Sequence, residues 1–446
     1  GALGLDKLVF VPAGVPPHKI MPAGSPDDRQ RLAMTSIAAD QLLRPELTAV
    51  WDEEVKRPGK SYTSDTLYQA SLLWPQAELW LLVGTDMFLT LHTWHKPDAV
   101  MSLAGICAFG RTEKDTEEVF APQRDFLART YGAKITTITI PGLVDISSTR
   151  LRELLSVGQG GQYLAPAVYG YILREKLYGT SVDLTRLSIE DLRCVSYSMI
   201  KAKRIAHVRG TEETAVQLAR RWGADVEKLR RAAILHDCTK YLSLEEHLAL
   251  CSRYGVALDR MEQVTEKLLH AKTGAILARN VFGQDDEVYD AIFYHTTGRA
   301  DMSLAEKILY IADYIEPNRD FPEVEQMRTL AFADLDRTVA MGARLAIQEM
   351  EGYYGVKLFE RIGRRLRITE AGVRLRESGG HIIELFDRME KGLRNWDALG
   401  VLRVGASLTI GSQLMPGYVK AFRQKYPDME VQVTVATSSQ LEQKIL

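Results

Sequence analysis

Along the first 180 or so residues, short apolar runs alternate with stretches in which apolar residues recur at helical spacing. The runs LVFVPA, TAVWDEEV, ELWLLVGTD, ICAFGR and TTITIPG have strand length and predict five strands separated by helices. Such alternation implies an α/β domain with a largely parallel sheet. From about residue 188 to 350 the texture changes, and TEETAVQLARRW, EKLRRAAILHD, TGAILARNVF and SLAEKILYIADYI predict an all-helical domain. Beyond residue 353 it changes again. KLFERIGRRLRITEAG is basic, a long helix is expected from about 370 to 397, and VLRVGASLTI opens a strand.

A chain of 446 residues exceeds what one core usually supports, so several domains are expected. With 46% hydrophobic and 26% charged residues it has the make-up of a soluble globular protein. No apolar run approaches the roughly 18 residues of a membrane span, so no membrane partner is expected. The net charge of -2 argues against avid nucleic-acid binding over the whole surface but permits local basic patches. Cys107, Cys194, Cys238 and Cys251 show no CxxC pairing, which fits a reducing, cytoplasmic location.

Candidate chemistry concentrates in the helical region. His207, His236, His270 and His295 fall in different expected helices or helix ends, with Asp237 and Asp313 as acidic partners. Imidazole and carboxylate suit iron, manganese or zinc. Neighbouring side chains on a helix diverge by about 100°, so His236 and Asp237 share an ion only where the helix meets the site obliquely. A carboxylate there can bridge two ions, and a dinuclear centre would activate water against a phosphoanhydride. Each histidine also has a purely structural reading. The combination says more, because HD, YHTTG and IADYIEPNR put polar groups where an apolar helix core is expected, and burying them unpaired is costly. Thr296, Thr297 and Gly298 either offer donors to phosphate or simply end a helix. His247, in SLEEHLALC, falls outside the pattern and is expected at the surface.

The segments KRIAHVRGTEETAVQLA, AAILHDCTK, LLHAKTGAILA and AIFYHTTGRADMSLAEKILYIADYIEPNRDF resemble the YqeK-type HD-domain hydrolases over residues 190 to 350. The resemblance implies symmetrical hydrolysis of diadenosine tetraphosphate to two ADP at a dinuclear centre of divalent or mixed-valence transition metal, iron in that family. Carried over, His207, His236, Asp237 and Asp313 hold one ion, and His270 and His295 complete the second with Asp237 bridging. His236 and Asp237 then stand at the catalytic centre, and Lys240, Arg299 and Arg319 are the cations available to phosphate. A solvated basic surface is the alternative for those three.

In the first region, VPAGVPPHK, RPGKSYTSDT, VGTDMF, HTWHKP and DISSTRLRELL form a second constellation. ISSTRLR reads as a strand end followed by hydroxyls at a helix start, a place suited either to phosphate or to simple capping. Trp94 is a stacking platform or a packed loop anchor. Together these motifs resemble the nicotinate-mononucleotide adenylyltransferases, a Rossmann-like family that joins ATP, with Mg2+, to nicotinate mononucleotide and releases pyrophosphate. The resemblance places Ser61, Tyr62, Thr63 and Trp94 around the nicotinate nucleotide. It turns Ser148, Thr149 and Arg152, supported by His18 and Lys19, toward the ATP phosphates, and puts Gly84 and Asp86 in the nucleotide pocket. The family's opening GxFDPxHxGH-type stretch has no counterpart here. The domain is therefore expected to lack its first strand and half of its phosphate site, and adenylyl transfer is expected to be impaired.

YYGVKLFERIGRRLRITEAGVRLRESGGHIIELF resembles the wing and linker helix of LysR-type regulators, and VLRVGASLTIGSQLMPGYVKAFRQKYPDMEVQV the start of their effector-binding domain. Arg361, Arg364, Arg365 and Arg367 would then make weak, non-specific DNA phosphate contacts from a β-wing, with a basic helical surface as the alternative. The expected organisation is multidomain. An incomplete Rossmann-like α/β nucleotidyltransferase domain occupies residues 1–185, an all-α HD domain 186–352, a partial winged-helix wing and linker helix 353–398, and the start of an α/β effector-binding domain 399–446. Tetraphosphate hydrolysis is the leading activity, with adenylyl transfer and DNA-binding regulation as alternatives.

Overall fold

The protein is described here from a computed structural model, which describes residues 3–15, 24–42, 44–110, 112, 115–138, 146–258, 262–362, 365–374, 401–406, 408–425 and 430–436. His18, Lys19, Arg364 and most of the expected 370–397 helix lie outside the described residues.

All five expected strands of the first region form: β1 Leu8–Phe10, β2 Thr48–Val50, β3 Trp80–Gly84, β4 Gly105–Phe109 and β5 Ile135–Ile138. They make two parallel pieces, β1 with β2 and β3-β4-β5 in that order, and Val83, Ala108 and Thr137 stand in register across the second. β4 is buried over Gly105–Ala108, as a central parallel strand requires. Phe88, Leu91, Val100, Ile106, Phe120 and Leu127 fill the core on this sheet. Gly84 ends β3 and begins the short helix Thr85–Leu89, so it sits at the carboxyl end of the sheet where nucleotides bind in such folds.

The helical region follows from capping and periodicity. Ser243 with Glu246 and Ser303 with Glu306 close reciprocal capping boxes that start the helices Leu244–Arg253 and Leu304–Ile315. Asp225 and Asp285 cap the helices Val226–Leu235 and Asp286–Phe293 with their side chains. The apolar faces of these helices meet the long helix Ala202–Trp222 in one core that contains Leu218, Ile234, Leu235, Ile308 and Leu309.

That core does not stop at residue 185. Leu155, Val168, Ile172 and Leu173, all from the first region, belong to it, so the expected domain boundary crosses a shared hydrophobic interior. The helices Pro166–Arg174 and Ile189–Tyr197 approach so closely that a Cβ on Gly170 would lie 1.8 Å from the Cys194 carbonyl oxygen. Backbone contact of this kind admits only glycine. The compact unit is accordingly Gly1–Ala257 with Glu266–Leu345.

The second unit comprises Leu258–Thr265 and Ala346–Leu446. It carries an antiparallel hairpin, β6 Phe359–Ile362 with β7 Arg365–Ile368, where a wing was expected. Further on, β8 Val401–Ala406 pairs in parallel with β9 Glu430–Val435. Arg367 is exposed on the hairpin. Among the described residues, no helix is long and apolar enough to cross a membrane.

Candidate metal centre

Four imidazoles converge inside the helical core. His236, His270 and His295 are 0%, 3% and 2% exposed, and His207 is 6% exposed. Three of them are aimed by the same local device. The Nδ1 atom of His236 lies 2.7 Å from the Ala233 carbonyl oxygen, that of His270 2.8 Å from Lys267, and that of His295 2.6 Å from Ile292, each partner three residues earlier. A carbonyl only accepts, so Nδ1 carries the proton and Nε2 keeps its lone pair for the interior. The rings pack edge-on, with centroids 5.1 Å apart for His236 and His295 and 5.2 Å for His270 and His295.

The carboxylates complete the cluster. Asp313 Oδ1 is 3.0 Å from His207 Nε2 and 4.0 Å from His236 Nε2. Asp237 presents its two oxygens to different sides, Oδ2 at 3.6 Å from His236 Nε2 and 3.8 Å from His207 Nε2, Oδ1 at 3.3 Å from His270 Nε2. Candidate ligand atoms thus fall into three overlapping groups, His207–His236–Asp237, Asp237–His270–His295 and His236–His295–Asp313, each within 4.8 Å. Asp237, His236 and His295 each belong to two of them, and of these three Asp237 alone has two donor oxygens, one toward each side.

These residues fit a cation on two physical grounds. His295 Nε2 and Asp237 Oδ1 are buried without a hydrogen bond, which costs about 1–3 kcal/mol per group, and more when charged. His207 Nε2 and His236 Nε2 also point at each other across 3.2 Å, two lone-pair atoms that only a proton or a cation reconciles.

Protonation states agree. Burial pushes the His236 imidazole down to about 4 and that of His270 to about 3, and it lowers His295 as well, so all three stay neutral. Burial alone would raise the Asp237 carboxyl, but His236, Lys240, Arg204 and His270 more than offset it and hold it below the ordinary carboxylate range. For Asp313, burial is likewise overcome, here by His207 and by the neighbouring His236 and His295. Neutral imidazole and ionised carboxylate are the forms that bind metal.

Cations surround the carboxylates. Lys240 Nζ lies 2.9 Å from His270 Nε2 and 3.5 Å from Asp237 Oδ1, and burial lowers its pKa against the pull of Asp237. Arg319 donates to Asp313 through Nη2 at 2.8 Å and through Nε to its backbone carbonyl at 3.0 Å. Arg299 behaves differently: its guanidinium is clasped by the buried Glu306 and covers the Tyr294 ring, so it braces the structure. Gly298, at φ +64, follows the turn after the helix Asp286–Phe293 and donates its N–H to the Tyr294 carbonyl, and Thr297 donates to the Gly298 carbonyl. Two participants were not expected from sequence. Arg204 donates to Asp237 Oδ2, and Glu316 accepts from His207 Nδ1 at 3.1 Å. His247 is corrected outright, since it is fully buried with Nδ1 on the Thr273 hydroxyl at 2.8 Å.

The first-region residues are spread along the sheet's end and the adjoining helices. Ser61 is buried and donates weakly to the Glu54 carbonyl, Tyr62 lies on the His95 ring with centroids 4.2 Å apart, and Thr63 begins the helix Thr63–Leu73. Trp94 packs against the sheet's core, and Asp86 is exposed in the helix after β3. The cap of the helix Ser148–Ser156 is Ser147, one residue before the expected hydroxyls, while Arg152 donates to Thr149 at 3.3 Å.

Residues 204–318 match the HD domain family, and residues 397–446 match the LysR substrate binding domain. A symmetrical bis(5'-nucleosyl)-tetraphosphatase of Bacillus subtilis (strain 168) is 42% identical over 34% of this chain and 80% of that protein. A probable nicotinate-nucleotide adenylyltransferase of Lachnoclostridium phytofermentans is 31% identical over 39% of this chain and 84% of that protein. The chain belongs to both of these families. A solved structure described as an HD superfamily hydrolase involved in NAD metabolism, from Clostridium acetobutylicum, is 39% identical over 39% of this chain and 91% of that one, with a TM-score of 0.36. The clustered histidines and aspartates all lie within the HD match, and the two carboxylates with four imidazoles are the donor set such a domain offers a divalent metal.

Proposed function

We propose that the helical region hydrolyses diadenosine tetraphosphate symmetrically to two ADP at a dinuclear iron centre held by His207, His236, Asp237, Asp313, His270 and His295. The observation that carries this reading is the shared carboxylate of Asp237, with one oxygen in each of two imidazole groups. Bound ions supply Lewis-acid polarisation of water and of a phosphoryl oxygen. Asp237 and Asp313 hold the ligands' negative charge, and the three Nδ1–H anchors keep each Nε2 aimed inward without further reorganisation. Arg319, Arg204 and Lys240 offer positive charge to a polyphosphate beside those carboxylates. In the reaction, the oxygen of water bonds to one of the two central phosphorus atoms and the bridging P–O bond between them breaks. We assign to Lys240, made more acidic by burial, the proton given to the departing ADP oxygen, which it regains from the attacking water. Product analysis tests this: ADP alone supports it, whereas AMP with ATP, or no turnover by metal-replete protein, contradicts it.

A second activity is supported by the parallel strands β3-β4-β5, with Gly84 at their carboxyl end and Tyr62 beside the Trp94 loop. We assign to residues 1–185 nicotinate-nucleotide adenylyl transfer with Mg2+ and ATP, with Ser61, Tyr62, Thr63 and Trp94 at the nicotinate end and Ser148, Thr149 and Arg152 at the phosphates. Incubation with ATP and nicotinate mononucleotide, followed by pyrophosphate release, tests it. The exposed Arg367 on an antiparallel hairpin favours weak DNA phosphate contact, read out as salt-sensitive binding. The cysteine spacing favours a cytoplasmic location for the whole chain.

A further inference from the structure

His207 is the exception among the four imidazoles. The other three take their orientation from a carbonyl three residues earlier in the chain, whereas His207 Nδ1 meets a side chain from another element, Glu316, at 3.1 Å. Glu316 caps the C-terminal end of the helix Leu304–Ile315 and is 1% exposed, far more buried than a free carboxylate tolerates. Its surroundings are built to keep it there. The other carboxylate oxygen, Oε2, accepts from the Asn318 backbone N–H at 2.7 Å and from Asn318 Nδ2 at 2.8 Å. Asn318 Nδ2 also donates to the Ala206 carbonyl oxygen at 3.1 Å, tying this turn to the residue before His207. On the facing helix, Gly210 leaves the space: a Cβ there would lie 2.4 Å from Glu316 Oε2.

We propose that Glu316 is the positioning residue of the metal centre, holding His207 in the Nδ1–H tautomer so that its Nε2 lone pair faces Asp313 and His236. The inference rests on the metal-centre reading above but not on the identity of the substrate. An ionised carboxylate accepts on both oxygens, which is what His207 on one side and Asn318 on the other require. Glutamine satisfies only one of them. With two Asn318 donors facing one end, its carbonyl oxygen turns there and its NH2 group meets His207 Nδ1. The imidazole proton then moves to Nε2 and removes the ligand lone pair.

The test uses the full chain and Co2+ as the probe, measuring affinity by chelator competition and the d–d absorption bands of the bound ion, for wild type, Glu316→Gln and Gly210→Ala. Gly210→Ala retains Glu316 and adds a helix-favouring residue, so it carries the test where Glu316→Gln fails to fold. Both variants are expected to hold Co2+ about 10- to 100-fold more weakly, with altered bands. Unchanged affinity and bands beside a lowered melting temperature would show a structural cap only and overturn the proposal. Wild type that binds no Co2+ would overturn the metal reading and this inference with it.

Discussion

The helical region and the α/β region place their polar residues in opposite ways. In the first, four buried histidines are each oriented by a backbone carbonyl or a buried carboxylate, and Asp237 and Asp313 accept from Arg204 and Arg319. In the second, Ser148, Thr149, Asp86 and His95 stand exposed at the sheet's end and the adjoining helix starts. A site buried among helices is assembled by the same packing that makes the fold, so its geometry is set once the core forms. A site at strand ends depends on loops that packing alone does not position.

The sharpest break in this comparison comes from Asp237→Ala. It removes the shared carboxylate and is expected to lower tetraphosphate hydrolysis by about three orders of magnitude while leaving adenylyl transfer unchanged. Steady-state rates of both reactions on one preparation check it, and parallel loss of both would contradict the separation of the sites. Gly170→Ala probes the opposite property, the shared core. Its Cβ would strike the Cys194 carbonyl, so about 3 kcal/mol of stability should be lost in denaturant unfolding. A cost below about 1 kcal/mol would show that the helices separate readily there.

Acid stability distinguishes the regions next. Burial holds the His247 imidazole down to about 4, against an ordinary value near 6.5. Between those values the unfolded chain binds the proton more readily than the folded one, so stability is full above pH 6.5 and falls as pH drops toward 4. His247→Gln should flatten the decline by about 2 kcal/mol, read from unfolding midpoints at pH 4.5 and 7.5. An unchanged slope would place the acid sensitivity elsewhere. The smallest effect belongs to Ser147→Ala, which removes the cap of an exposed helix. It should cost about 1 kcal/mol and leave hydrolysis unchanged.

How far the sequence could be read follows the same divide. The five strands and the HD helices were legible because apolar period and length agreed with the final packing, and His236-Asp237 stood out as a polar pair in an apolar helix. Arg204 and Glu316 were harder. Arg204 sits three residues before His207 and so shares its face, a helical signal that was present but had no partner to give it meaning. Glu316 matters through a contact with a residue 109 positions away, which no local pattern encodes. His247 was misplaced because it falls outside the pattern of the clustered histidines, although Cys251 four residues on is buried on the same face. The packing of Leu155, Val168, Ile172 and Leu173 into the helical core was not legible for a related reason: periodicity marks where elements change, not which helices share a core.

The most direct measurement is a titration of metal-free protein with Fe2+, following ADP release from diadenosine tetraphosphate at each added equivalent. A dinuclear centre bridged by Asp237 predicts little activity through the first ion per chain and a rise to saturation with the second. Full activity at one ion per chain, or hydrolysis without metal, would contradict it.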